Sequence, residues 1–292
     1  MHLVKSLATS ALASALAAML ALSALSATAT AAPAKTATAA PADEFEGDPY
    51  RSLPWADMRK EFLGGGKAVF DTRVQVQGPA FAEDPMNVPI SVKVDPSLGP
   101  VQRMVLLVDR NPIRKVLEYQ PVIALPAIAL PAIAFRFKLE QASPVRAAVQ
   151  TQDGLWHVGG TWVDSAGGGC TVSGDTRKDG SWSKTLGFFF FFEIRRVVHR
   201  RPRRRASEAS VARLRVRVMH PQDTGLVGGI PAFYVNKLSV RDGKDRELAR
   251  LLSFEPVSEN PIFSFDFASP PEGGVFVVGS DNNGNRIASR VE

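Results

Sequence analysis

At 292 residues, 45% of them hydrophobic, the chain can hold one large or two medium domains with sizeable apolar cores. Its net charge of +6 does not mark a nucleic-acid protein, because seven Arg fall between Arg195 and Arg205 and the remainder is near neutral. A single Cys and four scattered His exclude a structural zinc site, so neither a metal nor a cofactor is expected.

The chain opens with Lys5, an Ala- and Leu-rich run over 11–25, and Ala-Thr-Ala text that suits signal peptidase. Residues 1–32 therefore read as a cleaved export signal. The rival reading, an uncleaved anchor, needs a longer and more apolar run. The expected address is the periplasm, with no stable membrane insertion after cleavage. Residues 33–45, rich in Ala, Pro and Thr, read as a disordered spacer. A short helix is predicted over 54–63, with Ser52 as cap, Pro54 in the first turn, Trp55, Met58 and Phe62 on one face and Gly64 as stop.

The text then turns to β. Residues 74–77 and 90–94 alternate, and 103–108 is a run of the buried type. Residues 135–139 alternate with Arg136 and Lys138 outward, and 145–150 and 155–162 follow. Gly78-Pro79, Asp95-Pro96, Asn111-Pro112 and Asp153-Gly154 punctuate them. Short strands at this spacing predict an antiparallel immunoglobulin-like sandwich over 46–170. Within it Ala-Leu-Pro-Ala-Ile occurs twice, at 124–128 and 129–133. Because proline blocks a central strand, the duplication reads as a loop. Trp156, Trp162 and Trp182 read as packing residues.

Gly167-Gly168-Gly169-Cys170 closes this half and holds the only cysteine. A lone cysteine is ordinarily a small buried hydrophobe. Here three glycines make a thin, flexible arm, and an exported chain usually pairs its cysteines, so an accessible, chemically used thiol is the preferred reading. Asp164 and Asp175 would raise its pKa if close, and Arg177 and Lys178 would lower it.

Residues 171–210 are expected to be a linker. Within them 188–205 runs from five Phe into the Arg cluster. A solvated linker or a locally scrambled reading frame is preferred to an electrostatic tether for anionic lipid or an acidic partner. From 211 the β pattern resumes. Leu214 to Val218 alternates, 232–240 and 274–278 follow, Phe263, Phe265 and Phe267 share a face, and 286–291 ends the chain. Residues 211–292 thus predict a second sandwich. The fold class is all-β: two immunoglobulin-like sandwiches in tandem, with a short N-terminal helix after a signal peptide.

These residues carry a resemblance. His220-Pro221 through Thr224-Gly225, then Ile230-Pro231-Ala232-Phe233, then Pro261-Ile262-Phe263-Ser264-Phe265 resemble SoxZ of the bacterial thiosulfate-oxidising system. The first half resembles SoxY in its N-terminal helix, its Asp109-Arg110-Asn111-Pro112 and Asp153-Gly154-Leu155-Trp156 turns, and its glycine-flanked Cys170. The order is that of fused SoxYZ-like carriers found beside quinoprotein dehydrogenases. The resemblance implies that the two sandwiches pair within the chain and that Cys170 covalently carries a sulfur-containing intermediate on a flexible arm of Gly167, Gly168 and Gly169. It implies a carrier rather than an enzyme, served by periplasmic sulfur-oxidising or quinoprotein dehydrogenase and cytochrome proteins. SoxY holds its Cys almost at the chain end, whereas Cys170 is internal and would be presented on a loop.

Two other functions stay open. Cys170 could be an enzymic nucleophile with His157 or His220 as base, though such chemistry needs the attacking atom held still. Alternatively the chain is an adaptor docking on a periplasmic dehydrogenase, its thiol incidental. No phosphate-binding loop, paired-carboxylate site or Ser/His/Asp arrangement is present in the sequence.

Overall fold

The structure, a computed structural model, describes residues 45–122, 129–199 and 209–291. The expected signal and most of the spacer, the first copy of the duplicated pentapeptide and the Arg-rich stretch 200–205 lie outside the described residues.

The helix forms where its text predicts it. α1 (Trp55–Leu63) follows Pro54, and Gly64 ends it in the left-handed conformation at φ 65°, though Ser52 contributes no side-chain cap. Trp55 and Met58 are buried against Val105, Leu107, Ala148, Trp156 and Val158, so the helix seals one face of a sheet. That sheet also explains why β8 (Ser143–Thr151) is buried on both faces. Arg146, 0% exposed, stands on its outer side. It donates to Asp48 at 2.7 and 2.8 Å and to Asp109 at 2.8 and 2.7 Å, and its guanidinium lies 4.6 Å from the Trp55 ring. A charge so buried is tolerable only because every face of the guanidinium is matched.

In the first half, β1 (Ala68–Phe70), β2 (Val74–Gln77), β3 (Phe81–Ala82), β4 (Val88–Val94), β5 (Val101–Val108), β6 (Lys115–Pro121) and β7 (Ala129–Phe137) precede β8, and β9 (Trp156–Ser165) follows it. Two short helices, α2 (Asp175–Asp179) and α3 (Trp182–Thr185), cross to β10 (Phe189–His199). The second half holds β11 (Ala209–Val218), β12 (Val235–Asp242), β13 (Glu247–Ser253), β14 (Ile262–Phe267), β15 (Val275–Asp281) and β16 (Arg286–Val291).

The molecule is all-β in two layers, of the sandwich kind expected, and each layer runs unbroken through both halves. One sheet has the order β1-β9-β8-β5-β6-β13-β12-β15-β16, with β3 pairing β9; the other has β10-β11-β14-β7-β4-β2. The halves meet by antiparallel pairing in both layers, Tyr119 opposite Leu251 and Ala134 opposite Ser264. Edge strands that would otherwise leave their N–H and C=O groups unpaired satisfy each other. A single apolar cluster follows, from Val92, Leu106 and Phe137 to Leu214, Leu238 and Phe263, with the Tyr119 and Phe265 rings 6.0 Å apart at the seam. Phe263, Phe265 and Phe267 all face it, as their alternation predicts.

Three expectations fail. Residues 189–199, read as linker, form β10, which pairs with β11 from Phe189 opposite Val218 to His199 opposite Ala209. Aromatic and β-branched text suits a strand, and the free edge of β11 offers the ladder. The second pentapeptide copy, read as loop, enters β7, a central strand between β4 and β14. Pro131 is accommodated by a register shift there: Phe265 faces Ile133, whereas Phe267 faces Ala129. Trp162, read as packing, is 37% exposed beneath the Arg110 guanidinium, while Trp156 is buried as expected.

Candidate functional site

Cys170 lies where the two halves meet. Its chain segment is laid along the residues that leave β7. β7 ends at Phe137, and beyond it the Lys138 N–H bonds to Pro256 and the Leu139 N–H to Pro85 rather than to a neighbouring strand. Asn111 fixes this bend from below, its amide donating to the Lys138 carbonyl and accepting from the Glu140 N–H, both at 2.8 Å. Gly168 and Gly169 donate to the carbonyls of Glu140 and Leu139 at 3.1 and 3.2 Å. The Glu140 carboxylate then takes the Cys170 N–H at 2.8 Å and the Thr171 hydroxyl at 2.9 Å.

The glycines are required for contact, which corrects their reading as a flexible arm. A Cβ at Gly169 would lie 2.2 Å from the Pro85 oxygen and 2.6 Å from the Leu139 oxygen. Gly167 adopts φ +95°, and a Cβ there would sit 2.8 Å from the Glu140 oxygen.

The second half closes the site. Thr224 donates its hydroxyl to the Cys170 carbonyl at 2.6 Å. Lys138, expected to face solvent, is buried and its ammonium donates to the Gln222 carbonyl at 2.5 Å. Strand alternation does not govern it, because the strand has already ended. The segment beyond Cys170 is fastened to the same half. Asp175 and Thr176 donate their N–H groups to Glu259 at 2.9 and 2.8 Å, and Arg177 pairs with Asp223 while its guanidinium lies 4.1 Å from the Trp182 ring.

The thiol itself is 0% exposed, against the expectation of an accessible group, and its nearest polar partner is the Lys138 carbonyl at 3.5 Å. Burial pushes its pKa up to about 12, with the Glu140 charge adding to the rise and the Lys138 charge opposing it. In this closed arrangement the sulfur is a poor nucleophile. The charges that act on it are not those adjacent in sequence. Asp164 accepts from Trp162, Asp175 pairs with Lys178, and Arg177 belongs to Asp223.

Neither candidate base is bonded to the sulfur among the described residues. His157 is held by Asp71 at 2.8 Å on β9. His220 is buried against Phe233, with its ring 4.3 Å away, and burial lowers its pKa to about 4 despite Asp281 at 3.5 Å. Its loop serves geometry: the His220 ring accepts the Gln222 N–H at 3.2 Å, which sets the turn carrying Thr224. Sequence reading found Cys170, the glycines and the His220 loop but missed Lys138, Glu140 and Thr224 as the groups that hold Cys170. They lie 32, 30 and 54 residues away, and no local pattern links them.

Among the described residues no helix is long and apolar enough to cross a membrane. The family model of the sulfur oxidation protein SoxY matches residues 59–170, and that of the sulphur oxidation protein SoxZ matches residues 200–292. No curated protein matches the chain. Among solved structures it is similar to the sulfur carrier protein SoxY from Chlorobium limicola f thiosulfatophilum. The identity is 16%, over 38% of this chain and 90% of that one, with a TM-score of 0.34.

Proposed function

The chain belongs to the SoxY and SoxZ families, joined in that order as a fused SoxYZ-like protein of the sulfur-oxidation carrier kind, and on that premise we propose that Cys170 is the carrier residue. It holds a sulfur-containing group covalently in the periplasm, after export by the N-terminal signal, and catalysis is left to the enzymes that load and unload it. The observation that supports this is positional. The SoxY match ends at Cys170, and at the seam its backbone N–H and carbonyl are held by side chains from both halves, Glu140 and Thr224.

The chemistry asks little of the protein. The Cys170 thiol gives its proton to solvent, and the thiolate attacks a sulfur atom of the donor. A new S–S bond forms, the donor's old bond to that sulfur breaks, and the leaving group departs with the electron pair. Reversal or further exchange releases the cargo. Covalent attachment keeps the cargo at high effective concentration for each visitor.

Loading requires an open state. The Thr224 bond and the two Glu140 bonds must part so that the sulfur reaches water and its pKa falls toward the free value of about 8.5. The closed state shelters the sulfur between visits, and its holding bonds are few, each worth about 1 kcal/mol net.

A second reading draws on the same burial. A thiol 0% exposed with its pKa raised fits an adaptor that docks on a periplasmic quinoprotein dehydrogenase or its cytochrome and uses Cys170 only for packing. Intact-mass analysis of protein taken from its native periplasm during sulfur oxidation separates the two. Sulfur-containing adducts confined to Cys170 support the carrier. A bare thiol throughout, in protein that retains a dehydrogenase, overturns it.

A further inference from the structure

The outer face of the six-stranded sheet is basic. Inward positions of β2, β4, β7, β14 and β11 are apolar. Among the described residues the outward ones carry Lys93, Arg136, Arg213, Arg215 and Arg217 against one carboxylate, Asp266. Asp266 is used by Arg213, at 2.6 Å. Arg136 and Arg215 are exposed and make no ion pair among the described residues, and the Arg217 Nε is buried without a partner. On the β10 side the sheet continues by backbone register, Arg195 opposite Arg213 and Glu193 opposite Arg215.

This face is concave. A groove of about 480 Å³ runs across it, lined by Arg136, Arg213 and Arg215 with Gln77, Ser91 and Ser264 between them, and among the described side chains no acidic one lines it. The groove spans the line where β7 of the first half pairs with β14 of the second and draws its lining from both halves. It is joined to the thiol along the chain: Arg136 stands two residues before Lys138, whose carbonyl is the one 3.5 Å from the Cys170 sulfur.

We propose that this groove is a docking site for an acidic, extended segment of a partner protein. Its free guanidiniums are spaced along a sheet face rather than gathered on one point, and the volume is far larger than a small oxyanion needs. Guanidinium forks take carboxylates in two-bond geometry, and the serine and glutamine side chains can bond the visiting backbone. Only the identity of the visitor, an enzyme that loads or unloads Cys170, rests on the carrier reading. The groove and its charge do not.

The test uses the mature full chain and a short fluorescein-labelled peptide of alternating Glu and Ser, followed by anisotropy at low and at physiological salt. Binding that weakens with salt, falls about tenfold or more in the double variant R136E/R215E, and persists in K60E on the far side of the molecule is the expected result. Retention in C170S separates docking from cargo chemistry, so a failure of the carrier reading leaves this outcome intact. Three results overturn the proposal: no peptide binding or binding indifferent to R136E/R215E, inorganic sulfate binding as tightly as the peptide, or phosphatidylglycerol vesicles binding through the same arginines when the peptide does not.

Discussion

Thr224 of the second half holds the carbonyl of Cys170 of the first at 2.6 Å. The proposed carrier residue is therefore held by the neighbouring half as well as by its own. On the carrier proposal, whether the sulfur is shut away or offered depends on contacts across the seam.

Replacing Thr224 by Val keeps the shape and removes that bond. The closed state should lose about 1 kcal/mol, which raises the rate of Cys170 modification by a water-soluble maleimide roughly fivefold. Wild-type protein labelled as fast as a free peptide thiol would show that the closed arrangement does not persist in solution.

Gly169→Ala discriminates between a flexible arm and a packed one. An added methyl would press on the Pro85 and Leu139 oxygens, so the 167–171 segment should lift and the thiol should react faster while the sheets stay folded. Far-ultraviolet circular dichroism together with the labelling rate gives the answer. An unchanged labelling rate would mean that the glycines supply only flexibility.

Stability should fall with alkalinity through this one thiol. The folded pKa of about 12 lies above the unfolded value of about 8.5, so above pH 8.5 the unfolded chain holds fewer protons than the native one. The thiol's contribution is complete below that pH and drains away up to about 12, at no more than about 1.4 kcal/mol per pH unit. Urea denaturation of wild type and C170S at pH 8 and pH 10 should show the wild type losing ground relative to the variant.

Arg146→Met should remove about 3–5 kcal/mol, because Asp48 and Asp109 are left buried and facing one another without their cation. Urea unfolding measures the loss. Limited proteolysis should cut first between residues 45 and 63, which the Asp48 contact ties to the sheet.

The all-β class, the helix over 55–63 and the three-ring face of β14 were legible because each rests on local periodicity. The inward Leu214 and Val216 against the outward Arg213 and Arg215 belong to the same kind of signal. β10 was not legible, because a run of like residues has no alternation to show and its strand character depends on the waiting edge of β11. Lys138 misled because the alternation rule was carried one residue past the end of β7.

Taken alone, the residues determined the two β halves, their family likeness and the one cysteine that can carry chemistry. The tertiary structure alone decided that both sheets run through the seam, that the glycines are packed and that Glu140, Lys138 and Thr224 hold Cys170. Periodicity acts over a few residues, whereas burial and charge at Cys170 come from groups 30 to 54 positions distant, which only the folded backbone brings together.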